Sequence, residues 1–577
     1  MYVPTAKILA SCAVVFCTVH LRYAASAEPK GVHVTDLSLL VSAELPCTWP
    51  ARFPWFQMQP YRRLGPLSAY NSEILLIDPN TGTQMDVPPH SIPRPDSGLP
   101  NAGPTGLLFP EQVPPWQFCG EACVIDCAEL RDAARNGSSA LVTKERVMSW
   151  EREHRPLSAG DVVLLRSGYS DTYYRPLPEG RRFIADAAEG LAPAWPDPDV
   201  DCMEYLASRG VMLVGTDSPS MGPLPAHLAE PTHVAGLRHG MIFTEGLTAL
   251  GPLPPTGAFY AMLAPKHVGT AGSEVRAMAV VGEPLAGELI THARKHNVTD
   301  LSLALSPDLP LTWPGRGVGH HRQPFLKVMF DYNPNVASPF QIHMLDSHAG
   351  THLVPPSYAL PEPGQSAIQH AADVRGWLAE YERRFGPRGT SDVTTDQVPL
   401  SQTCGRARVM DVAQLTGTAD SKNWPVSPQI TVEMIQRYEA ETGSLAADEI
   451  VLLRCGWSDR YCKAGPAGAA CMVDPLNGRS EGWPAVSAET ILYLAERGIA
   501  CVGTDAPSIG GVDPKQALWT YWALGGRGMA AVEFLTGLGA LKDKTNQADR
   551  AYFLFAPIKI QGCHGGHGRA LALVDEG

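Results

Sequence analysis

The feature that most constrains this chain is that it repeats itself. VTDLSLLVSAELPCTWP, starting at Val34, returns as VTDLSLALSPDLPLTWP at Val298. DVVLLRSGYSDTYY from Asp161 matches EIVLLRCGWSDRYC from Glu449, and YLASRGVMLVGTDSPS from Tyr205 matches YLAERGIACVGTDAPS from Tyr493. The stretches keep their order in both halves, so one domain is read as present twice, at 28–285 and 290–577, joined around GELITHARKHNV. Each unit is long enough to bury its own core, which separates a tandem duplication from a solenoid of short repeats.

With 44% hydrophobic and 18% charged residues in 577, the composition is globular and excludes a disordered or fibrous chain. The net charge of −13, with no Lys/Arg block, argues against nucleic acid as a partner. Residues 1–27 read as a signal peptide: Lys7 precedes the apolar ILASCAVVFCTV, and Ala25-Ser26-Ala27 offers small residues for cleavage after Ala27. That run is too short for a stable membrane span, and no later segment has about 18 uninterrupted apolar residues. The mature protein is therefore expected to be soluble and secreted or extracytoplasmic. Without Cys12 and Cys17 an odd number of cysteines remains. Cys462 and Cys471 bracket KAGPAGAA, where a loop-closing disulfide is easy to build, whereas Cys119, Cys123 and Cys127 lack CxxC spacing and read as packing or disulfide residues rather than a zinc site.

VVLLR and its twin IVLLR read as buried strands. A helix capped by Ser487 and stopped at Gly498, with Asp199 and Gly210 as twins, feeds the next apolar run and places Asp505 and Asp217 at strand ends. Such an Asp either closes a turn or contributes to chemistry. The densest polar constellation is LDSHAGTHLVPPSY, Leu345 to Tyr358, where His348 and His352 flank a Gly turn; the first copy reads IDPNTGTQMDVPPH there, Ile77 to His90. Two imidazoles so placed can converge on one metal ion. His564, His567 and the pair His320-His321 sit in Gly-rich loops that expose histidine freely, and the Trp residues of Trp49-Pro50 and Trp313-Pro314 either line a substrate cleft or edge a core.

This order of motifs resembles the cyclase family of metal-dependent hydrolases, which includes bacterial kynurenine formamidase and isatin hydrolase and carries the signature H-x-G-T-H-x-D-x-P-x-H. The likeness extends to the DLS…WP openings at Asp36 and Asp300, the GTD strand end, a later H-x11-E element and the closing AP…G…R stretches at Pro265 to Arg276 and Pro557 to Arg569. It implies an α/β fold of two tandem copies of a swivelling β/β/α-like domain with a mixed β-sheet core. In the family the signature His pair, the Asp and the later His and Glu hold metal, and the last signature His is the acid/base group. Carried over, the first copy offers Asn80, Gln84, Asp86, His233 and Glu245 as metal ligands and His90 as the catalytic acid/base. The second keeps His348, His352 and Glu533 but has Val354, Tyr358 and Tyr521 for the Asp, the acid/base His and the later His.

The losses are complementary. An oxygen-rich first site suits manganese, magnesium or calcium, whereas two His and one carboxylate in the second suit zinc or iron. The resemblance implies a divalent metal, manganese or zinc, and hydrolysis of a small-molecule amide, lactam or lactone/ester carbonyl, as in the formamidase of tryptophan catabolism. It also implies that the copies pair within the chain as single-copy relatives pair in homodimers. The first copy, with the larger share of the constellation, is the expected carrier of chemistry. The rival reading is a catalytically inactive binding or scaffold protein that keeps the fold.

Overall fold

The computed structural model describes residues 33–50, 55–314, 326–332, 340–365, 368–541 and 551–574, with the backbone alone at 326–332 and 340. The signal-peptide reading and His320-His321 lie outside the described residues.

VVLLR forms the strand Asp161–Arg166, and its alternation decides which side chains face which layer. Val163 and Leu165 pack with Val147, Met203 and Leu237 of the helices Lys144–Glu153, Val200–Ser208 and Ala229–Leu237. Val162 and Leu164 point the other way, into a core that also holds Tyr552, Leu554, Leu571 and Leu573 of the second copy. Both faces are buried, which is why the strand reads as an unbroken apolar run. Cys119–Asp126, Asp161–Arg166, Leu213–Thr216 and Ile242–Glu245 run parallel, and antiparallel strands extend both sides into a nine-stranded mixed sheet. Its distant members Gly272–Glu274 and Arg276–Val281 are separated only by Val275, so the sheet curls round on itself. The second copy repeats this in eight strands, with Gly566–Val574 pairing to both His352–Val354 and Ala551–Pro557.

A four-stranded sheet takes strands from both halves. Gln57–Arg62 and Ser72–Ile77 of the first copy continue into Phe340–Asp346 and Leu326–Tyr332 of the second, with Leu75 opposite Leu345 and Ile77 opposite His343. Leu75, Ile77 and Leu345 are buried at that seam. Nearby, buried Arg276 and Arg569 pair with Asp36 and Asp300 of their own copies at 2.9 and 2.7 Å. Each Asp also receives a lysine from across the junction, Lys559 at 2.6 Å and Lys266 at 3.0 Å. The helix Leu285–Arg294 occupies the joint between the repeats.

Glu73, on the shared sheet, accepts a 2.8 Å bond from His564 Nδ1 of the second copy and a 2.7 Å ion pair from Arg63. Burial works against its charge, but His564 and Arg63 prevail and hold its pKa at about 2. A carboxylate depressed in the folded state stabilises above its unfolded value and loses that contribution as pH falls through the folded one. Unfolding free energy should therefore drop by about 2–3 kcal/mol more in wild type than in Glu73→Gln between pH 5 and pH 2. Urea titrations across that window measure it.

Both helix caps occur as expected: Ser487 Oγ accepts from Thr490 N at 3.2 Å, and Asp199 from Cys202 N at 2.7 Å. Gly498 and Gly210, at φ +82° and +78°, turn the chain where a side chain would strain it. Asp217 and Asp505 close turns. Asp217 accepts from the amides of Ser167 and Gly168 and from the Ser167 hydroxyl, and Asp505 accepts from the amides of Cys455 and Gly456. Asp217→Ala would orphan two inward N–H groups and should cost about 2–4 kcal/mol of stability, read as a lowered denaturation midpoint. No disulfide is formed among the described cysteines, but the expected partners Cys462 and Cys471 lie side by side in hydrogen-bonding contact. Cys119, Cys123 and Cys127 are buried packing residues, the first two on the strand Cys119–Asp126 and the third just after it.

Candidate functional site

In the first copy the signature segment leaves the strand Ser72–Ile77, turns at Gly82 with φ +68°, and re-enters the sheet as Gln84–Asp86. Gln84 and Asp86, two apart on that strand, project to one face. A single 3-10 turn, Pro88–His90, opened by Pro and therefore tight, brings His90 back over Asp86, with Nδ1 3.4 Å from Oδ1. His233 comes from the helix Ala229–Leu237 and Glu245 from the end of Ile242–Glu245, where it lies opposite Gln84 in register. His233 Nε2 is 3.5 Å from both Asp86 Oδ2 and Glu245 Oε1, and its Nδ1 is fixed 2.8 Å from the Ala229 carbonyl. The rings of His90 and His233 stack at 5.2 Å.

Electrostatics tie these groups together. Burial disfavours a charged His233, but Asp86 and Glu245 outweigh it and raise its pKa well above the ordinary imidazole value. Burial and the charge of Asp86 push Glu245 up. Asp197, which the sequence reading missed, is fully buried and pushed well above the carboxylate range by burial and by Glu245. Its counterpart Ala485 has no carboxyl, and its place in a Pro-Asp-Pro-Asp run gives no sign of a buried acid.

Both oxygens of Asp86 and the Oδ1 of Asn80 are buried without a hydrogen bond. Asn80 spends its Nδ2 on Asp78, leaving its carbonyl oxygen open. Glycine is required at 272 by the backbone, since a Cβ there would lie 2.5 Å from the Met85 carbonyl oxygen, and the same position borders Asn80 Oδ1 and Asp86 Oδ1. Buried oxygens without donors are costly, and a cation removes that cost. Asp86, His90 and His233 offer ligand atoms within 4.8 Å of one another. Gln84 departs from expectation: its amide N–H donates to Glu245 Oε2.

The second copy also gathers its expected residues, with a different balance. His348 and His352 rings lie 5.2 Å apart, and His352 Nε2 is 3.2 Å from Glu533 Oε2. Glu533 is already bonded by the Tyr521 hydroxyl at 2.7 Å and the Ile509 amide at 2.8 Å. His348, His352 and Glu533 do not form a close ligand group of the kind seen in the first copy. Tyr358 packs on the His348 ring at 4.8 Å, and Tyr70 of the first copy stacks on Tyr358 at 4.9 Å. Burial raises both Tyr358 and Tyr521 well above the ordinary phenol value, which removes them as bases at neutral pH. A cavity of about 530 Å³ opens beside them, lined by His348, Trp313 and Trp377 together with Tyr61, Arg62 and Tyr70 of the first copy. Trp313 thus edges a cleft, whereas Trp49 packs edge-on against Trp195 at 6.0 Å.

The Cyclase family model matches residues 35–223 and 299–510, once in each copy and over most of the chain. The chain belongs to the cyclase family. Among curated members of the family, isatin hydrolase of Roseibium aggregatum is 29% identical over 227 residues, 38% of this chain and 76% of that protein. Kynurenine formamidase of Salinibacter ruber is 38% identical over 103 residues, 17% of this chain, and the match spans about half of that protein, 48%. Among solved cyclase-family structures, isatin hydrolase A from Labrenzia aggregata matches at 24% identity with a TM-score of 0.36, covering 44% of this chain and 94% of its own.

Proposed function

We propose that this cyclase-family protein is a secreted metal-dependent hydrolase of an amide, lactam or lactone/ester carbonyl and that the first copy carries the chemistry. The observation that supports this is the set of buried oxygens on Asp86 and Asn80 without a well-formed hydrogen bond, facing His233 and His90, where the second copy has Val354 for the Asp and Tyr521 and Tyr358 for the two histidines. The proposed ligands are Asn80, Asp86 and His233, with Glu245 completing the shell. An oxygen-rich set of this kind favours manganese over zinc. A divalent ion held there supplies Lewis-acid polarisation of the carbonyl and acidifies water.

The other tasks fall to side chains. His90 has 16% side-chain exposure against 8% for His233, so it is the imidazole that water and substrate reach. It accepts the proton of the attacking water and returns it to the leaving nitrogen or oxygen, while Asp86 orients its ring. The relatives named isatin hydrolase and kynurenine formamidase support a small carbonyl substrate. The second copy is assigned a supporting part, pairing with the first as a second subunit would, over the domains 28–285 and 290–577. The apolar run ahead of Ala27 supports export, and no helix among the described residues is long and apolar enough to cross a membrane.

Assay of the purified chain with manganese or zinc on formamides, lactams and lactones tests this reading. Chelator-sensitive turnover restored by the ion is expected, and absence of turnover with every ion and substrate class contradicts it. One observation favours the rival, non-catalytic reading: the Gln84 amide bonded to Glu245. Gln84→His separates the two. On the catalytic reading it tightens metal binding without being needed for turnover, whereas on the rival reading the wild type binds no ion at this site.

A further inference from the structure

A second cluster of ligand-type side chains lies where the two copies meet, on strands next to the signature segments, with Glu274 opposite Gln84 and His567 opposite His352 in register. Glu274 Oε1 is 3.0 Å from His267 Nε2 and 2.8 Å from His567 Nε2. His267, Glu274 and His567 are all buried, and their ligand atoms lie within 4.8 Å of one another. His343, also buried, packs on His267 with ring centroids 4.5 Å apart. Glu274 Oε2, His567 Nδ1 and His343 Nδ1 make no hydrogen bond although sealed from solvent.

The internal repeat shows how unusual this grouping is. Glu274 and His567 each stand two residues before the buried arginine of the closing stretch, Arg276 and Arg569, and so hold the same place in their copies. Val41 bridges to Ile560 and the matching Leu305 bridges to His267, which makes Ile560 the counterpart of His267. The counterpart of His343 is Leu75, three residues before Asp78 as His343 is three before Asp346. Apolar side chains therefore suffice at two of these places in the other copy. A symmetric homodimer sets identical residues against each other at its axis, whereas a duplicated and diverged chain can oppose a Glu to a His there.

We infer that His267, Glu274 and His567 form a second metal site, a structural zinc site that ties the first copy to the second. Imidazole nitrogens and one carboxylate, buried and away from solvent, are a donor set suited to zinc rather than to the harder ion proposed for the Asp86 site. His343, turned on its side-chain torsions, supplies the fourth ligand that closes a tetrahedral shell. Glu274 Oε1 already faces both imidazole Nε2 atoms, the convergence an ion among the three side chains would use.

The test is zinc content of the full chain, purified from zinc-supplemented medium, with cobalt(II) as an optical substitute. Wild type is expected to hold about one tightly bound zinc per chain and, with cobalt, to show the strong visible bands of a tetrahedral site. Glu274→Gln, which keeps size and hydrogen bonding, and His567→Ala should each lose that zinc and those bands, whereas His233→Ala should keep both. Zinc-free wild type, or zinc retained in Glu274→Gln with unchanged cobalt bands, would overturn the site and leave a hydrogen-bonded triad. Because the readout is zinc and not turnover, a chain that hydrolyses nothing can still confirm this site, and an active manganese enzyme can still lack it.

Discussion

His233→Ala is expected to lower kcat/KM roughly a thousandfold or more and to strip the ion from the first copy, while the fold survives. The imidazole stands 3.5 Å from both Asp86 and Glu245 and bridges the two buried carboxylates. Its loss removes a metal ligand and the partner of both acids together. The ring is closely packed, since a Cβ at Gly222 would meet it at 2.6 Å, so its removal leaves a ring-sized space beside polar groups that water can fill. His348→Ala is the control in the second copy: its imidazole packs against His352 and Tyr358, and turnover should change little. Steady-state kinetics with metal analysis of both variants reads the contrast. Loss of activity in His348→Ala with His233→Ala intact would move the chemistry to the second copy.

The largest stability effect is expected at the junction. Asp300→Ala should destabilise the protein by about 3–5 kcal/mol, because it leaves the Arg569 guanidinium buried without its partner. Arg569 is fully buried, with Nη2 2.7 Å from Asp300, and its Nη1 reaches the Ala264 carbonyl of the first copy. Burial opposes the charge of Asp300, but Arg569 and Lys266 hold its pKa below the usual carboxylate value. Lys266 is partly exposed and loses less, since water replaces its partner. Thermal or urea unfolding gives the number. A loss under about 1 kcal/mol would show that the carbonyls around Arg569 suffice to hold it.

The repeat, the buried strands and the helix caps were legible because each follows from local pattern: alternation in VVLLR, Ser487 three before Thr490, glycine where the chain must turn left-handed. The residues of both candidate sites were legible because short signature segments carry them. What could not be read depends on contacts far apart in the chain. The role of Asp217 as a turn-closing acceptor rests on Ser167 and Gly168, and the fate of Glu533 rests on Tyr521 and Ile509. Asp197 and Glu73 are ordinary acids in sequence and acquire their character only by burial beside Glu245 and His564. The junction cluster draws His267, Glu274 and His567 from the two closing stretches and His343 from the shared sheet, which only the fold brings together, and of these only His567 had drawn notice, as an exposed loop residue. It is instead fully buried, paired with Glu274 on the strand Gly566–Val574.

Anomalous diffraction from crystals of the full chain soaked in manganese decides whether the first copy is the working metal site. A peak at the manganese edge bounded by Asn80 Oδ1, Asp86 and His233 is expected, and none between His348 and His352. A peak at the His348–His352 pair alone, or no peak at either, would contradict that assignment.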